Sequence, residues 1–283
     1  MEKYIVTDLA KEMKSDKMEK IRWSEEQIGG KIRIYRMVEK ESGKSVGCLN
    51  VCFPSIWMLD DQTYEAVCEV LARELNTLIR NVTHEKKKIS TVLVVGLGNE
   101  MFLADSIGPR TARAVNTRSV CESSVNDDLR FKNIYSLVPN VLSNTGMDSV
   151  ELVRGVVEQF HPDLVIAIDS LRTRNAERIG ATVQMMSFGI RPGSGVCAHS
   201  AALNSETVGI PVLSVGMPTV VNAATMVCDA IREMDEVLQR DEDVLLERRF
   251  NFLVMPREID LVVRHGAALI ADLINRCLYF YNL

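Results

Sequence analysis

Five β-branched or apolar residues, Thr91-Val-Leu-Val-Val95, run directly into the turn Gly96-Leu-Gly98-Asn99. A continuous run of this kind is typical of a strand that is buried on both faces of a parallel sheet. A second such run, Leu164-Val-Ile-Ala-Ile168, ends at Asp169, and the loop after the first run continues to Asp105. Ligands and chemistry in open α/β sheets lie outside the carboxyl ends of the strands. We therefore expect Asp105 and Asp169 to face one another there.

Strands and helices alternate along the rest of the chain. Extended runs predict strands at 32–38, 46–53, 134–138, 181–186 and 211–215, and a short strand that reaches Val254. Apolar residues at helical spacing predict helices at 60–82, at 107–115, up to Phe160, from Ala223 to Leu238 and after Pro256. Thr145-Gly-Met-Asp148 resembles a capping box for the helix that ends at Phe160. This alternation predicts an α/β fold with three layers, in which helices flank a mostly parallel sheet. We expect one domain over 1–283, with 9–30 as an N-terminal arm.

Composition excludes several classes of protein. The formal net charge of -5 gives no electrostatic footprint for nucleic acid or for an anionic membrane. The seven cysteines include no C-x-x-C pair, which is typical of reduced thiols in a cytosolic protein. The N-terminus has no apolar signal region, and no run approaches the roughly 18 apolar residues of a membrane span. The sequence therefore predicts a cytoplasmic location, without nucleic-acid or membrane partners.

Short motifs for cofactors and metals are weak in this chain. The third glycine of a dinucleotide fingerprint that began at Gly96 would fall at Met101, so no nucleotide cofactor is expected. The four histidines have no metal-ligand spacing, and no metal is expected. Asp105 alone is best interpreted as a helix N-cap. Asp169 is different, because an acid directly after a buried strand needs a hydrogen-bonding partner or a functional reason for its desolvation.

Longer matches place the chain near a known family. The run from Val94 to Ala224 resembles the germination protease family of spore-forming bacteria. The matching pieces are Gly96-Leu-Gly-Asn99, Asp105-Ser-Ile-Gly-Pro109, Thr145-Gly146, Pro162-Asp-Leu-Val-Ile-Ala-Ile-Asp169, Gly189-Ile-Arg-Pro-Gly-Ser-Gly-Val196, Gly209-Ile-Pro-Val-Leu-Ser-Val-Gly-Met-Pro-Thr-Val-Val221 and Leu253-Val-Met-Pro-Arg-Glu-Ile-Asp260. The resemblance implies a phosphorylase/hydrolase-like fold, similar to that of hydrogenase maturation proteases.

The resemblance also implies an activity. It implies an aspartate-type endopeptidase in which Asp105 and Asp169 are the catalytic pair and no cofactor takes part. The expected substrates are small acid-soluble spore proteins in the core of a germinating spore, and the expected assembly is a homo-oligomer, a tetramer in relatives. Thr7-Asp8-Leu9-Ala10 resembles the self-processing site of the family. A zymogen would then be cut between Asp8 and Leu9, with 1–8 released as a propeptide.

Two facing carboxylates suit the hydrolysis of a peptide bond. Two such groups do not both ionise easily, so one can activate water while the other stays protonated and polarises the carbonyl or donates to the leaving amine. The glycine-rich turns at 96–98 and 193–195 offer backbone N–H groups as donors to an oxyanion.

Several positions depart from the family pattern and keep other functions open. The usual acid and histidine before the Pro-Gly-Ser-Gly turn are replaced by Ser187, Phe188 and Arg191, a usual aspartate is Asn222, and Arg172 stands where a small residue is usual. One alternative is a metal-assisted processing protease of the hydrogenase-maturation type. The other is a degenerate relative that binds without catalysis.

Overall fold

The fold is built on a single β-sheet. The computed structural model describes residues 7–12, 20–83, 89–119, 131–192, 201–223, 225–227 and 252–279. Within these ranges the sheet has nine strands. They are β1 (Ile21–Ile28), β2 (Ile32–Glu39), β3 (Ser45–Cys52), β4 (Thr91–Gly96), β5 (Asn133–Leu137), β6 (Leu164–Thr173), β7 (Thr182–Met186), β8 (Val212–Asn222) and β9 (Leu253–Val254). Strand β1 lies inside the segment 9–30 that was expected to form an arm.

The sheet joins a parallel half to an antiparallel half. The strand order is β1-β2-β3-β7-β8-β6-β4-β5, and β9 pairs with β8. The pairings β8-β6, β6-β4 and β4-β5 are parallel, whereas β1 to β3, β7 and β9 pair antiparallel. The predicted α/β class is confirmed, and its parallel part consists of β5, β4, β6 and β8.

Helices cover both faces of the sheet. They are α1 (Asp61–Val82), α2 (Ile107–Ala114), α3 (Leu142–Thr145), α4 (Ser149–Phe160), α5 (Ser205–Val208) and α6 (Ile259–Tyr279). Apolar residues of α1, α2 and α6 form one core with the sheet, and those of α4 and α5 form a second core on the opposite face. The three predicted layers are therefore present. None of the helices in the described ranges has the length and hydropathy to cross a membrane.

Helix α1 shows how closely sequence pattern and structure agree. The Asp60 carboxylate accepts the Thr63 N–H at 2.7 Å and caps the helix. Val67, Leu71 and Leu75 are fully buried at the predicted spacing. The helix predicted over 60–82 is confirmed because one apolar stripe matches one covered face of the sheet.

Two strands are longer than their sequences indicate. Strand β6 continues past Ile168 to Thr173, and β8 continues through Gly216-Met-Pro-Thr219 to Asn222. The strand predicted at 211–215 is therefore too short, since 216–219 belongs to β8. The two strands stay paired across this region, with a register shift after Leu171, and this pairing overrides the turn composition. Asp169 consequently lies inside a strand, not beyond its end.

Other local predictions are corrected or lie outside the described residues. The capping box at Thr145 is wrong, since Thr145 ends α3 and the Asp148 carboxylate caps α4 by accepting the Val150 N–H at 2.8 Å. Of the helix predicted at 223–238, only 223 and 225–227 are described. The turn at 193–195 also lies outside the described residues.

Candidate active site

Asp105 is held by the loop that follows β4. It ends a short 3-10 helix, Leu103–Asp105, and its Oδ2 accepts the backbone N–H of Asn99 at 2.8 Å. The residue at the N-cap of α2 is Ser106, and its side chain makes no capping bond. The interpretation of Asp105 as an N-cap is therefore wrong. Its carboxylate folds back on the loop and is half-buried, and burial raises its pKa.

Glycines allow this loop to pack tightly against the helix that follows it. Gly98 has φ of +113°, and a Cβ there would lie 2.1 Å from the carbonyl oxygen of Asp105. A Cβ at Gly108 would lie 2.1 Å from the carbonyl oxygen of Leu97 and 2.5 Å from that of Ile168. Side chains at these positions would push α2 and Asp105 away from the ends of β4 and β6.

Asp169 lies in β6, where it is 8% exposed. Its Oδ1 accepts the backbone N–H of Ser170 at 2.8 Å. Burial raises the pKa of Asp169 well above its ordinary value, and the negative charges of Asp105 and then Asp8 raise it further. Asp105 and Asp8 therefore lie close enough to Asp169 to act on its charge, while the catalytic role expected of Asp105 and Asp169 stays a prediction.

The two buried acids differ in how easily they ionise. Burial raises the pKa of Asp105 to about 6, against the opposing effect of the Asn99 N–H. Asp169 is more deeply buried and also feels the charge of Asp105. Deeper burial and the charge of Asp105 both favour the protonated form of Asp169, so we expect Asp105 to lose its proton first.

The N-terminal segment 7–12 is bound beside this pair. The Asp8 N–H donates to the Arg172 carbonyl oxygen at 2.9 Å. The Arg172 backbone N–H donates to Asp8 Oδ2 at 2.8 Å, and the guanidinium donates to both carboxylate oxygens at 3.3 Å. Leu9 is fully buried. Arg172, one of the positions that depart from the family pattern, is thus the residue that binds the Asp8 carboxylate.

Gln184 of β7 holds the peptide on both sides of the Asp8–Leu9 bond. Its Nε2 donates to the Asp8 carbonyl oxygen at 3.0 Å. Its Oε1 accepts the Ala10 N–H at 2.7 Å. Gln184 is 1% exposed, so both contacts are shielded from water. Sequence reasoning did not find Gln184, because its role depends on a segment far away along the chain.

Glu12 provides a second acidic anchor for the segment. Its carboxylate accepts the Thr173 hydroxyl at 2.9 Å and the Arg174 N–H at 2.6 Å, and it pairs with Arg178 Nε at 3.1 Å. The Thr7 hydroxyl donates to it at 2.6 Å. These contacts were also missed, since Glu12 belongs to no motif in the sequence.

The other residues that depart from the family pattern lie around the ends of β7 and β8. The Ser187 N–H donates to the Gly47 carbonyl oxygen at 2.7 Å, and Phe188 is 52% exposed. The Asn222 Oδ1 accepts the Thr225 N–H at 3.3 Å. In the turn at 96–98, the Leu97 N–H already donates to the Ile168 carbonyl oxygen at 2.8 Å.

Among the described residues, no group of three or more histidine, cysteine, aspartate or glutamate side chains is placed to hold a metal ion.

Comparison with known proteins shows that this protein belongs to the peptidases. The family model described as "Germination protease" matches residues 3–242, and the chain belongs to the germination protease family. The germination protease of Caldanaerobacter subterraneus subsp. tengcongensis is 36% identical over 268 residues, which cover 85% of this chain and 81% of that protein. The germination protease of Clostridium acetobutylicum is 32% identical over 247 residues, which cover 78% of this chain and 75% of that protein.

A solved structure also resembles the chain. It is the [NiFe] hydrogenase maturation protease HycI from Thermococcus kodakarensis KOD1, which is 16% identical with a TM-score of 0.35. The match covers 70% of this chain and 98% of HycI.

Proposed function

We propose that this protein is an aspartate-type endopeptidase that degrades small acid-soluble spore proteins during germination, and that it first cuts itself between Asp8 and Leu9. The observation that carries the proposal is the position of the Asp8–Leu9 segment, bound by Arg172 and Gln184 beside the buried pair Asp105 and Asp169. Membership of the germination protease family supports the substrate class.

The geometry suggests a separate role for each acid. Asp105, with a pKa near 6, is ionised at neutral pH and takes a proton from the attacking water. Asp169 keeps its proton, because burial and two neighbouring carboxylates disfavour its charge. It gives that proton to the nitrogen of Leu9 as the bond breaks. The two acids then return to their starting states through exchange with water.

The bound segment accounts for a zymogen. Residues 7–12 occupy the region beside Asp169, so another peptide cannot bind there until the segment is cut and leaves. The same contacts that block the site hold the Asp8–Leu9 bond next to the two acids. We therefore propose 1–8 as a propeptide. A spore-core location and a homo-oligomeric, tetrameric state, both suggested by the family resemblance, belong to the same proposal.

One incubation tests the proposed activity. Purified full-length protein is held at pH 6 to 7 with a small acid-soluble spore protein, and mass spectrometry follows both chains. We expect a new N-terminus at Leu9, followed by fragments of the spore protein. An intact spore protein, after the N-terminus at Leu9 has appeared, would contradict the substrate assignment. A chain that stays uncut would contradict the processing assignment.

A further inference from the structure

Gln184 contacts the carbonyl group of the bond that we propose is cut. Its Nε2 lies 3.0 Å from the Asp8 carbonyl oxygen. That oxygen belongs to the Asp8–Leu9 peptide bond and carries the negative charge once water has added to the carbon. Donors within about 2.7 to 3.1 Å of such an oxygen are what stabilise the tetrahedral intermediate of peptide hydrolysis.

Sheet register explains why Gln184 reaches this position. Asp169 of β6 pairs with Gly216 of β8, and Gly216 pairs in turn with Gln184 of β7. Residues opposite one another on neighbouring strands project to the same face. Asp169 and Gln184 therefore flank a glycine on one face, with their Cα atoms roughly 10 Å apart. On that face the Leu171 side chain covers Gly216, because a Cβ built there would lie 2.7 Å from Leu171 Cδ1, and Asp169 and Gln184 stand on either side of it.

The amide of Gln184 is fixed in orientation by the peptide. Because Oε1 accepts the Ala10 N–H at 2.7 Å, the Nε2 group must point toward Asp8. Gln184 is 1% exposed, so water does not compete for its donor. A donor held in place in a dry site needs no reorganisation when charge develops.

We propose that Gln184 is a third catalytic residue, which stabilises the oxyanion through its Nε2 while its Oε1 keeps the peptide in register. This inference rests on the proposed function, since it takes Asp8–Leu9 as the bond that is cut.

Each proton in the proposed hydrolysis has a donor and an acceptor. Water adds to the Asp8 carbonyl carbon, Asp105 takes the water proton, and the carbonyl oxygen becomes an oxyanion that accepts from Gln184. The carbon–nitrogen bond then breaks as the carbonyl reforms and Asp169 donates its proton to the Leu9 nitrogen. The products are a carboxyl group at Asp8 and an amine at Leu9.

The test uses the full chain and its single-turnover self-cleavage. Gln184→Met keeps the volume and removes both amide groups, whereas Gln184→Glu keeps the shape and replaces the donor by an oxygen. Gln27→Glu is the matched control, because Gln27 is exposed on β1 and bonds to the Gly30 carbonyl. Mass spectrometry follows the appearance of Leu9 as the N-terminus. Hydrogen exchange of 7–12, measured in an Asp169→Asn background, reports how tightly the segment stays bound.

We expect the first-order rate of both Gln184 variants to fall about 10²- to 10³-fold. The protection of 7–12 should fall much less than the rate, and Gln27→Glu should match the wild type. If the wild type cuts itself and the Gln184 variants cut at nearly the same rate, the inference is overturned and the proposed function stands. A rate loss matched by an equal loss of protection would also overturn it, since Gln184 would then only bind the segment. A wild-type chain that never cuts would overturn both.

Discussion

A Cβ atom at Gly98 would lie 2.1 Å from the backbone carbonyl oxygen of Asp105. The loop after β4 therefore approaches its own catalytic candidate so closely that only glycine fits. Gly98 also has φ of +113°, a conformation that L-residues rarely adopt. The position of Asp105 thus depends on a residue that takes no part in chemistry.

Gly98→Ala should disturb Asp105 and lower stability. We expect a loss of about 1 to 3 kcal/mol in the free energy of unfolding, with a larger relative loss in peptidase activity. The control is Gly155→Ala in α4, where a Cβ would meet nothing within 4 Å. That change should leave activity intact and raise stability by up to about 1 kcal/mol. Urea unfolding and cleavage assays on both variants make the comparison, and equal behaviour would contradict the role of Gly98.

Cleavage should depend on pH through both acids. Asp105 must be ionised, so the rate should rise as pH passes about 6, the raised pKa of that carboxyl group. Asp169 must stay protonated, so the rate should fall again at higher pH. A profile of the self-cleavage rate between pH 4 and 10 checks this expectation. A rate that does not change across the region near pH 6 would exclude Asp105 as the base.

Asp105→Asn should make the fold more stable at neutral pH. The pKa of Asp105 is raised from 3.8 to about 6 on folding, so the native state binds the extra proton between these values. Stability therefore falls as pH rises through this window, and the penalty persists above it. An asparagine at position 105 carries no charge and so avoids this loss of stability, and its side-chain oxygen can still accept the Asn99 N–H. We expect a gain of about 1 to 3 kcal/mol at pH 7 and little gain at pH 4. Urea unfolding at the two pH values measures it, and an equal gain at both would contradict this origin.

Glu12 and Arg178 should matter for binding of the N-terminal segment. The Glu12 side chain is 6% exposed and pairs with Arg178, whose side chain is 21% exposed. Charge-assisted bonds at such a site contribute about 1.5 to 3 kcal/mol, so Glu12→Gln or Arg178→Gln should slow self-cleavage about tenfold or more. Arg154→Gln, which removes an exposed pair with Glu151 on α4, is the control and should have no effect. An unchanged rate for Glu12→Gln would contradict the role of Glu12 as an anchor of the segment.

The buried strands and the unusual position of Asp169 could be predicted from sequence for a physical reason, whereas Asp105 was singled out by the family resemblance. Thr91–Gly96 and Leu164–Ile168 are buried on both faces, and that burial requires the continuous apolar runs seen in the sequence. Asp169 comes directly after such a run, and an acid at that place is recognisable because it interrupts the apolar pattern. The parallel pairing of β4 with β6 then places the loop that carries Asp105 beside the middle of β6, where Asp169 lies.

Long-range contacts could not be predicted in the same way. Gly216-Met-Pro-Thr219 has the composition of a turn, but its pairing with β6 keeps it extended. The contacts of Asp8 with Arg172, of Ala10 with Gln184 and of Glu12 with Arg178 join residues more than 150 positions apart. None of these pairs leaves a periodic or local signal, so the groups that hold the peptide emerged only from the structure.

The most direct test of the proposed catalytic pair replaces each acid by its isosteric amide. Asp105→Asn and Asp169→Asn each remove one proton-transfer group, while Asp148→Asn, which exchanges one good helix cap for another, serves as the matched control. The measurement is the rate at which full-length protein acquires an N-terminus at Leu9, with circular dichroism to confirm folding. We expect both site variants to cut about 10²- to 10⁴-fold more slowly and the control to cut at the wild-type rate. A folded Asp105→Asn or Asp169→Asn variant that cuts at the wild-type rate would contradict the aspartate pair.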